Sequence, residues 1–259
     1  MRRLDQAGNQ PRGGRPTVSV GIADRLITAI AVGAYSPGEL LPPERELAAM
    51  LGVSRVTIRE ALQQVTKLGL IESRRGRGGG TFVTCLSWEG IASETAQRTL
   101  EVELPRLRDL FDYRCLIEAT VARAATERRS AEDVAQLQSA LEEFRRADGM
   151  AEARRLDRHL HALVCEAAKN PFFTQLSARL TADVTLGLGS EPYQEEFFER
   201  ALAEHEELIG HVVRGETEAA GRAAQSHFAM TLEAMHAGLR RASEIGSRRT
   251  ATAPAPRST

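Results

Sequence analysis

Asp157 and His161 stand four residues apart in the stretch LDRHLHALVCEA, Leu156 to Ala167. On a helix, positions four apart lie about 40° apart around the axis, so this carboxylate and imidazole project together. His159 points about 160° away from His161 and cannot join them. Cys165 drifts toward the shared face one turn later. Leu156, Leu160, Leu163 and Val164 flank the line of Asp157 and His161, which turns it toward a helical interior. A buried carboxylate and imidazole are costly unless they are paired or bound to a metal.

A pair of this kind is commonly just a local hydrogen bond, so the metal reading needs further ligands. The remaining histidines of the helical region are His205, in LAEHEELIGHVV, His211, His227, in AAQSHFAMTL among apolar neighbours, and His236; His205 and His227 are the candidates. One aspartate and three histidines suit zinc or a similar divalent ion, with a position left for water or a ligand oxygen. His211 and His236 read as surface residues, and Cys165 as a small core residue. Glu204 reads either as a group orienting His205 or as a solvated charge. HEELI, from His205, begins like a helical zinc-protease motif but has Ile209 where the second histidine belongs.

These groups require helices to hold them. Apolar periodicity predicts helices at 104–128, 130–148, 150–169, 171–188, 194–214 and 216–242. Ser130–Asp133 forms a capping start, and Pro171 and Pro192 fit first-turn positions. Leu and Ala dominate and aromatics are few, as in a helical bundle that can carry a metal between facing helices.

The N-terminal third differs. The chain's net charge of −1 conceals +5 over residues 1–85 and −6 over the remainder. Val18, Ile22, Leu26, Ile27 and Ile30 predict a first helix, broken by GAYSPGELLPP. ERELAAML, the turn GV and Ser54 as N-cap of RVTIREALQQVTKLGL make a helix-turn-helix. LIES and TFVT around RRGRGGG read as a hairpin or wing. Arg55, Thr57 and Arg59 occupy the first turns of the second helix, where side chains reach base edges and phosphates in a major groove. Ile58 belongs inside with Leu62, and Val56 is left exposed.

The segment LPPERELAAMLGVSRVTIREALQQVTKLGLIESRRGRGGGTFV closely resembles the winged-helix domain of the GntR family of bacterial regulators, over residues 20–84. The resemblance implies that Arg45, Ser54, Arg55, Thr57 and Arg59 make major-groove and phosphate contacts, and that Arg75 and Gly76 form the wing tip. Val56 stands where many members have a polar residue or proline, so no operator sequence carries over. The pieces LFDYRCLIEATVARAA, LDRHLHALVCEAAKNP, EHEELIGHVVRGETEAA and SHFAM resemble the FCD effector domain of the FadR subfamily. That resemblance implies metal ligation by Asp157, His161, His205 and His227, and pairing of Arg114 with an effector carboxylate. Leu160 replaces a common phenylalanine.

The expected fold is therefore mostly α: a winged helix-turn-helix at 17–85, a linker at 86–103, and a helical effector-binding and dimerisation domain at 104–242. Residues 1–16 read as a disordered arm and 243–259 as a tail, and Trp88 as a linker residue packing between domains. The expected function is a DNA-binding regulator, a repressor, with a palindromic operator, a small organic acid as effector, and a homodimeric state. Its cofactor is a divalent metal, zinc first, with nickel and manganese as alternatives. A metal-dependent hydrolase finds no convincing general base, and the four-ligand set argues against a ligand-free architectural protein. No apolar run approaches a membrane span, and the N-terminus lacks a signal-peptide core, so a cytoplasmic, non-enzymatic protein is expected. Cys85, Cys115 and Cys165 form no disulfide or zinc-finger spacing.

Overall fold

The computed structural model describes residues 17–84, 91–188 and 195–252. It is mostly helical, with a two-stranded antiparallel hairpin after the N-terminal helix-turn-helix and a helical domain beyond it.

Helix α1, Val18–Ala31, buries Ile22, Leu26, Ile27 and Ile30, while Val18 is exposed. Helix α2, Glu44–Leu51, ends at Gly52, whose φ of 64° is a left-handed cap that a β-carbon would strain. Helix α3, Arg55–Lys67, starts at Ser54, whose side chain accepts a hydrogen bond from the Thr57 amide at 3.1 Å. Its inner face carries Ile58, Ala61, Leu62 and Val65; Val56 faces solvent. Strands β1, Ile71–Arg74, and β2, Gly80–Val83, pair with Ile71 opposite Val83 and Arg74 opposite Gly80. Leu40 bridges to Phe82, so part of the stretch read as a breaker widens the wing's base. The loop turns back tightly: a β-carbon at Gly79 would sit 2.4 Å from the Arg74 carbonyl oxygen.

The long helix α4, Ile91–Arg128, begins inside the stretch read as a linker. Residues 91–103 are helical, and Pro105 lies inside the helix. Proline removes a backbone hydrogen bond and crowds the preceding turn. Packing outweighs that cost, because Ala96, Leu100, Leu107 and Phe111 continue one fully buried face through it. Residues 86–90, including Trp88, lie outside the described residues, as do Cys85, the arm at 1–16 and Pro192.

Helix α5, Ala131–Arg145, opens on the expected capping box between Ser130 and Asp133. Lys169 binds the same Asp133 at 2.6 Å, and together these contacts hold its carboxyl down at about 2. Helix α6, Met150–Ala167, is followed by α7, Pro171–Val184, capped by Asn170. Helix α8 is Glu195–Arg214 and α9 is Thr217–Thr252, which lies along α4 in the most extensive helix pairing of the molecule. The helix reaches ten residues into the stretch expected as tail; 253–259 are outside the described residues.

One apolar core joins the two parts of the chain. It combines α1, α2, α3 and the wing with Leu100, Leu107 and Phe111 of α4, Leu186 and Leu188 after α7, and Met235 of α9. Polar bonds reinforce the junction. Tyr35 Oη donates to the Leu188 carbonyl at 2.9 Å, and burial pushes this phenol well above its usual range. Arg154 of α6 is almost wholly buried. It donates to the Gly33 carbonyl and the Ser36 hydroxyl, both at 3.2 Å, and pairs with the Glu39 carboxylate.

Removing one partner of a buried ion pair leaves the other charge uncompensated. Arg154→Ala should therefore destabilise the protein by about 3 kcal/mol in urea or thermal unfolding. The apolar-neutral combination Arg154→Met/Glu39→Gln should recover most of that loss. A single-variant effect below about 1 kcal/mol, the scale of an exposed pair, would contradict the junction's importance.

Candidate functional site

Helix α6 carries both Asp157 and His161 on its inner side, one turn apart, as their spacing requires. His159 is exposed on the other side. Helix α8 brings His205 and α9 brings His227 to the same point. Asp157, His205 and His227 are buried, and His161 is partly buried.

The ligand atoms converge. His161 Nε2 lies 3.4 Å from His205 Nε2, 3.2 Å from His227 Nε2 and 3.5 Å from Asp157 Oδ1. His205 Nε2 lies 3.3 Å from the same Asp157 oxygen, and one donor atom from each residue falls within 4.8 Å of all the others. Ligands about 2.1 Å from a tetrahedral zinc stand roughly 3.4 Å apart, so these separations fit an ion held among them. Hydrogen bonding alone does not account for them. A neutral imidazole Nε2 has either one proton or one lone pair, yet His161 Nε2 meets three ligand atoms at once. A central cation satisfies every lone pair together.

The surroundings favour the ligating state. Burial pushes the His205 imidazole well below its usual 6.5, and the neighbouring His227 and His161 add to this against the pull of Asp157. A neutral ring is the one that ligates. The Phe144 ring meets the His205 ring edge-on at 4.8 Å, and Phe228 lies 4.7 Å from His161. Glu204 does not orient His205, as its sequence position suggested. Its Oε2 meets His227 Nδ1 at 3.1 Å, because adjacent helical residues point about 100° apart. Burial opposes the charge on Glu204, but hydrogen bonds from His227 and Arg200 outweigh it and hold the carboxyl below its usual range. Arg200 Nε donates to Glu204 Oε1 at 2.8 Å. His227 thus has the carboxylate support expected of a metal ligand.

Beside the quartet is a cavity of about 280 Å³ walled by α4, α6, α7 and α9, with His161 in its lining. Arg114 is on its floor, almost fully buried. Its Nη2 donates to Thr181 Oγ1 at 3.3 Å, and its guanidinium lies over the Phe228 ring at 4.5 Å. Cys165 also lines the cavity, and burial pushes its thiol up to about 11, so it remains a neutral wall group. No local sequence pattern marks Thr181, Ser177 or Phe228. The signal for Arg154 is its place three residues before Asp157, which puts it on the same helix face.

The second candidate site is the basic end of the helix-turn-helix. Arg45 on α2 and Arg55 and Arg59 on α3 are exposed; Thr57 is half-buried beside its cap, Ser54. Arg75 and Gly76 sit in the exposed turn between β1 and β2. One contact was hidden in the sequence: Glu44 accepts from Arg59 Nε at 3.1 Å and Nη2 at 2.8 Å. Arg59 holds the Glu44 carboxyl below its usual range. Any anion that takes Arg59 must compete with Glu44.

Residues 19–83 match the bacterial regulatory proteins of the gntR family, and residues 109–230 match the FCD domain. The HTH-type transcriptional regulator RmpR of Mycobacterium gastri is 33% identical over 80% of this chain and 76% of its own length. The galactonate operon transcriptional repressor of Escherichia coli K12 is 34% identical over 61% of this chain and 72% of its own. Among solved structures, E. coli McbR/YncC is 18% identical, with a TM-score of 0.47 over 86% of this chain and 99% of that one.

The depressed His205 pKa gives a pH dependence. The unfolded histidine binds a proton near 6.5 and the folded one does so only at lower pH, so stability rises with pH across that window and falls below about 6.5. Protons also compete with a metal for the imidazoles, in the same direction. Thermal unfolding between pH 8 and 5 should show a falling midpoint, steeper with added zinc than with chelator. His161→Ala/His205→Ala should abolish stoichiometric metal in elemental analysis; full occupancy in that variant would rule out this quartet as the site.

Proposed function

Because the chain belongs to the gntR family of bacterial regulatory proteins and carries an FCD domain, we propose that it is a metal-containing, effector-gated repressor. The observation that carries this reading is the convergence of Asp157, His161, His205 and His227 beside a cavity with Arg114 on its floor. The family is one of transcriptional regulators, and its winged helix-turn-helix implies binding to DNA. Among the described residues no helix is long and apolar enough to cross a membrane.

On this reading Arg55 and Arg59 enter the major groove, with Arg45, Ser54 and Thr57 on base edges and phosphates nearby. Arg75 and Gly76 bring the wing to the adjacent groove. Glu44 acts as a mobile counterion: it holds Arg59 in place without DNA and yields it to a phosphate or guanine edge. Two copies of the chain present two readers to a palindromic operator. Val102, Tyr113 and Leu116 support that pairing, since they put large exposed apolar side chains on one side of α4 among the charges of Arg106 and Asp109.

The effector is a small organic acid. Zinc is the expected ion, with nickel and manganese as alternatives, and a bound ion offers an open coordination position to a carboxylate oxygen. Arg114, buried and oriented by Thr181 and Phe228, takes the same carboxylate. Because α6 bears Asp157, His161 and Arg154, a ligand that displaces α6 moves the anchor of the reader domain. Gating requires different effector affinities for the two arrangements.

Mobility-shift titration on the protein's own upstream region tests the reader. Arg55→Ala/Arg59→Ala should weaken binding by at least about tenfold and lower the salt slope by about two. Unchanged affinity would sink the assignment of α3. For the gate, thermal-shift screening of organic acids should give hits that vanish in Arg114→Ala; hits independent of Arg114 would place the effector elsewhere.

A further inference from the structure

The cavity beside the quartet has a floor and a mouth of different character. Arg114, Glu118, Cys165, Ser177 and Phe228 are buried in its floor. The mouth lies between α6 and α7, where Arg158 and Ala162 on one helix and Thr174 and Ala178 on the other are each four residues apart and exposed. Arg158 is the sole charge among these mouth residues.

Two groups there are underused. Arg154, one turn before Arg158, is consumed by Glu39, Ser36 and Gly33. Arg158 makes no ion pair or hydrogen bond among the described residues, although it stands in the wall of a cavity. The Ser177 hydroxyl is buried against the Cys165 thiol, a weak partner, and meets no stronger one among the described residues. A buried hydroxyl without a good partner is costly, and a ligand that bonds it recovers the loss. Ala162, Ala178, Cys165 and the Phe228 ring make an apolar stretch of the wall, with the Thr174 and Thr181 hydroxyls at its borders.

We propose that this cavity takes a short diacid, with one carboxylate at Arg114, an apolar spine along the alanines and Phe228, and the second carboxylate at Arg158 in the mouth. Ser177 donates to the inner end. The proposal rests on the effector reading given above and adds to it the ligand's class and a second anchor. Charge supports it: a divalent ion with Asp157, plus Arg114 and Arg158 against Glu118, leaves an excess of two positive charges that a dianion balances. The apolar stretch disfavours a polyhydroxylated acid, because Ser177, Thr174 and Thr181 offer too few partners to replace the water lost by a hydroxyl on every carbon.

Isothermal titration of the zinc-loaded full chain with butyrate, succinate, glutarate and gluconate, at matched ionic strength, tests the assignment. Wild type should bind a diacid at least about tenfold more tightly than butyrate, the discrimination a charge-assisted hydrogen-bonded pair provides. Arg158→Ala should bring the diacid down to the level of butyrate and leave butyrate unchanged; Arg158→Lys should restore part of the preference. Circular dichroism and thermal melts confirm that each variant is folded, which an exposed position favours. Equal binding of butyrate and both diacids by wild type, equal loss of both in Arg158→Ala, or a gluconate affinity above that of the diacids would each overturn the diacid assignment while leaving an acid effector in place. No binding of any of the four acids to the zinc-loaded wild type would count against the acid-effector reading itself, and the diacid would fall with it.

Discussion

Four polar groups, three of them buried, converge between the helices of a bundle, and their convergence is the constraint the rest of the structure answers to. A carboxylate and three imidazole nitrogens at 3.2–3.5 Å cannot all be satisfied by one another's protons. A cation among them would turn four liabilities into four bonds. Bringing the four groups together constrains α6, α8 and α9 in rotation and register, because a slip of one residue would carry one of them about 100° off the site. The Glu204 and Arg200 chain behind His227 extends the same requirement outward to the surface of α8.

Helix α6 serves three partners at once. Arg154 reaches the turn at Gly33–Glu39, Asp157 and His161 face the quartet, and Arg158 faces the cavity mouth. The helical repeat makes this possible: residues three, four and seven apart share a side, and the next residue turns onto the neighbouring wall. The reader is also sealed to α4, α7 and α9 by a single apolar core, so it does not hang on a free tether. Movement of α6 therefore has a mechanical route to the helix-turn-helix that needs no long chain of intermediates.

Electrostatics in the reader follows a different logic. Its cations are exposed, where a single ion pair contributes little to stability. The Glu44 contact to Arg59 is better understood as pre-organisation of a flexible side chain than as reinforcement of the fold.

Much of this was legible in the sequence. Helical periodicity placed Asp157 with His161 and excluded His159, and the turn chemistry at Gly52–Ser54 marked the helix-turn-helix, because both are local consequences of backbone geometry. The family resemblance extended the reading to His205, His227 and Arg114. What the chain could not state locally, packing decided. Pro105 stays inside a helix because buried Ala96, Leu100, Leu107 and Phe111 outweigh its cost. Glu204 finds His227 as its partner because α9 packs on that side of α8, and no local pattern places α9 there. Arg154 is an anchor because a turn 115 residues or more upstream folds onto it. Residue type and spacing determine which groups one element can present; which distant groups meet them is set by the close packing of elements against each other, and no local pattern encodes that.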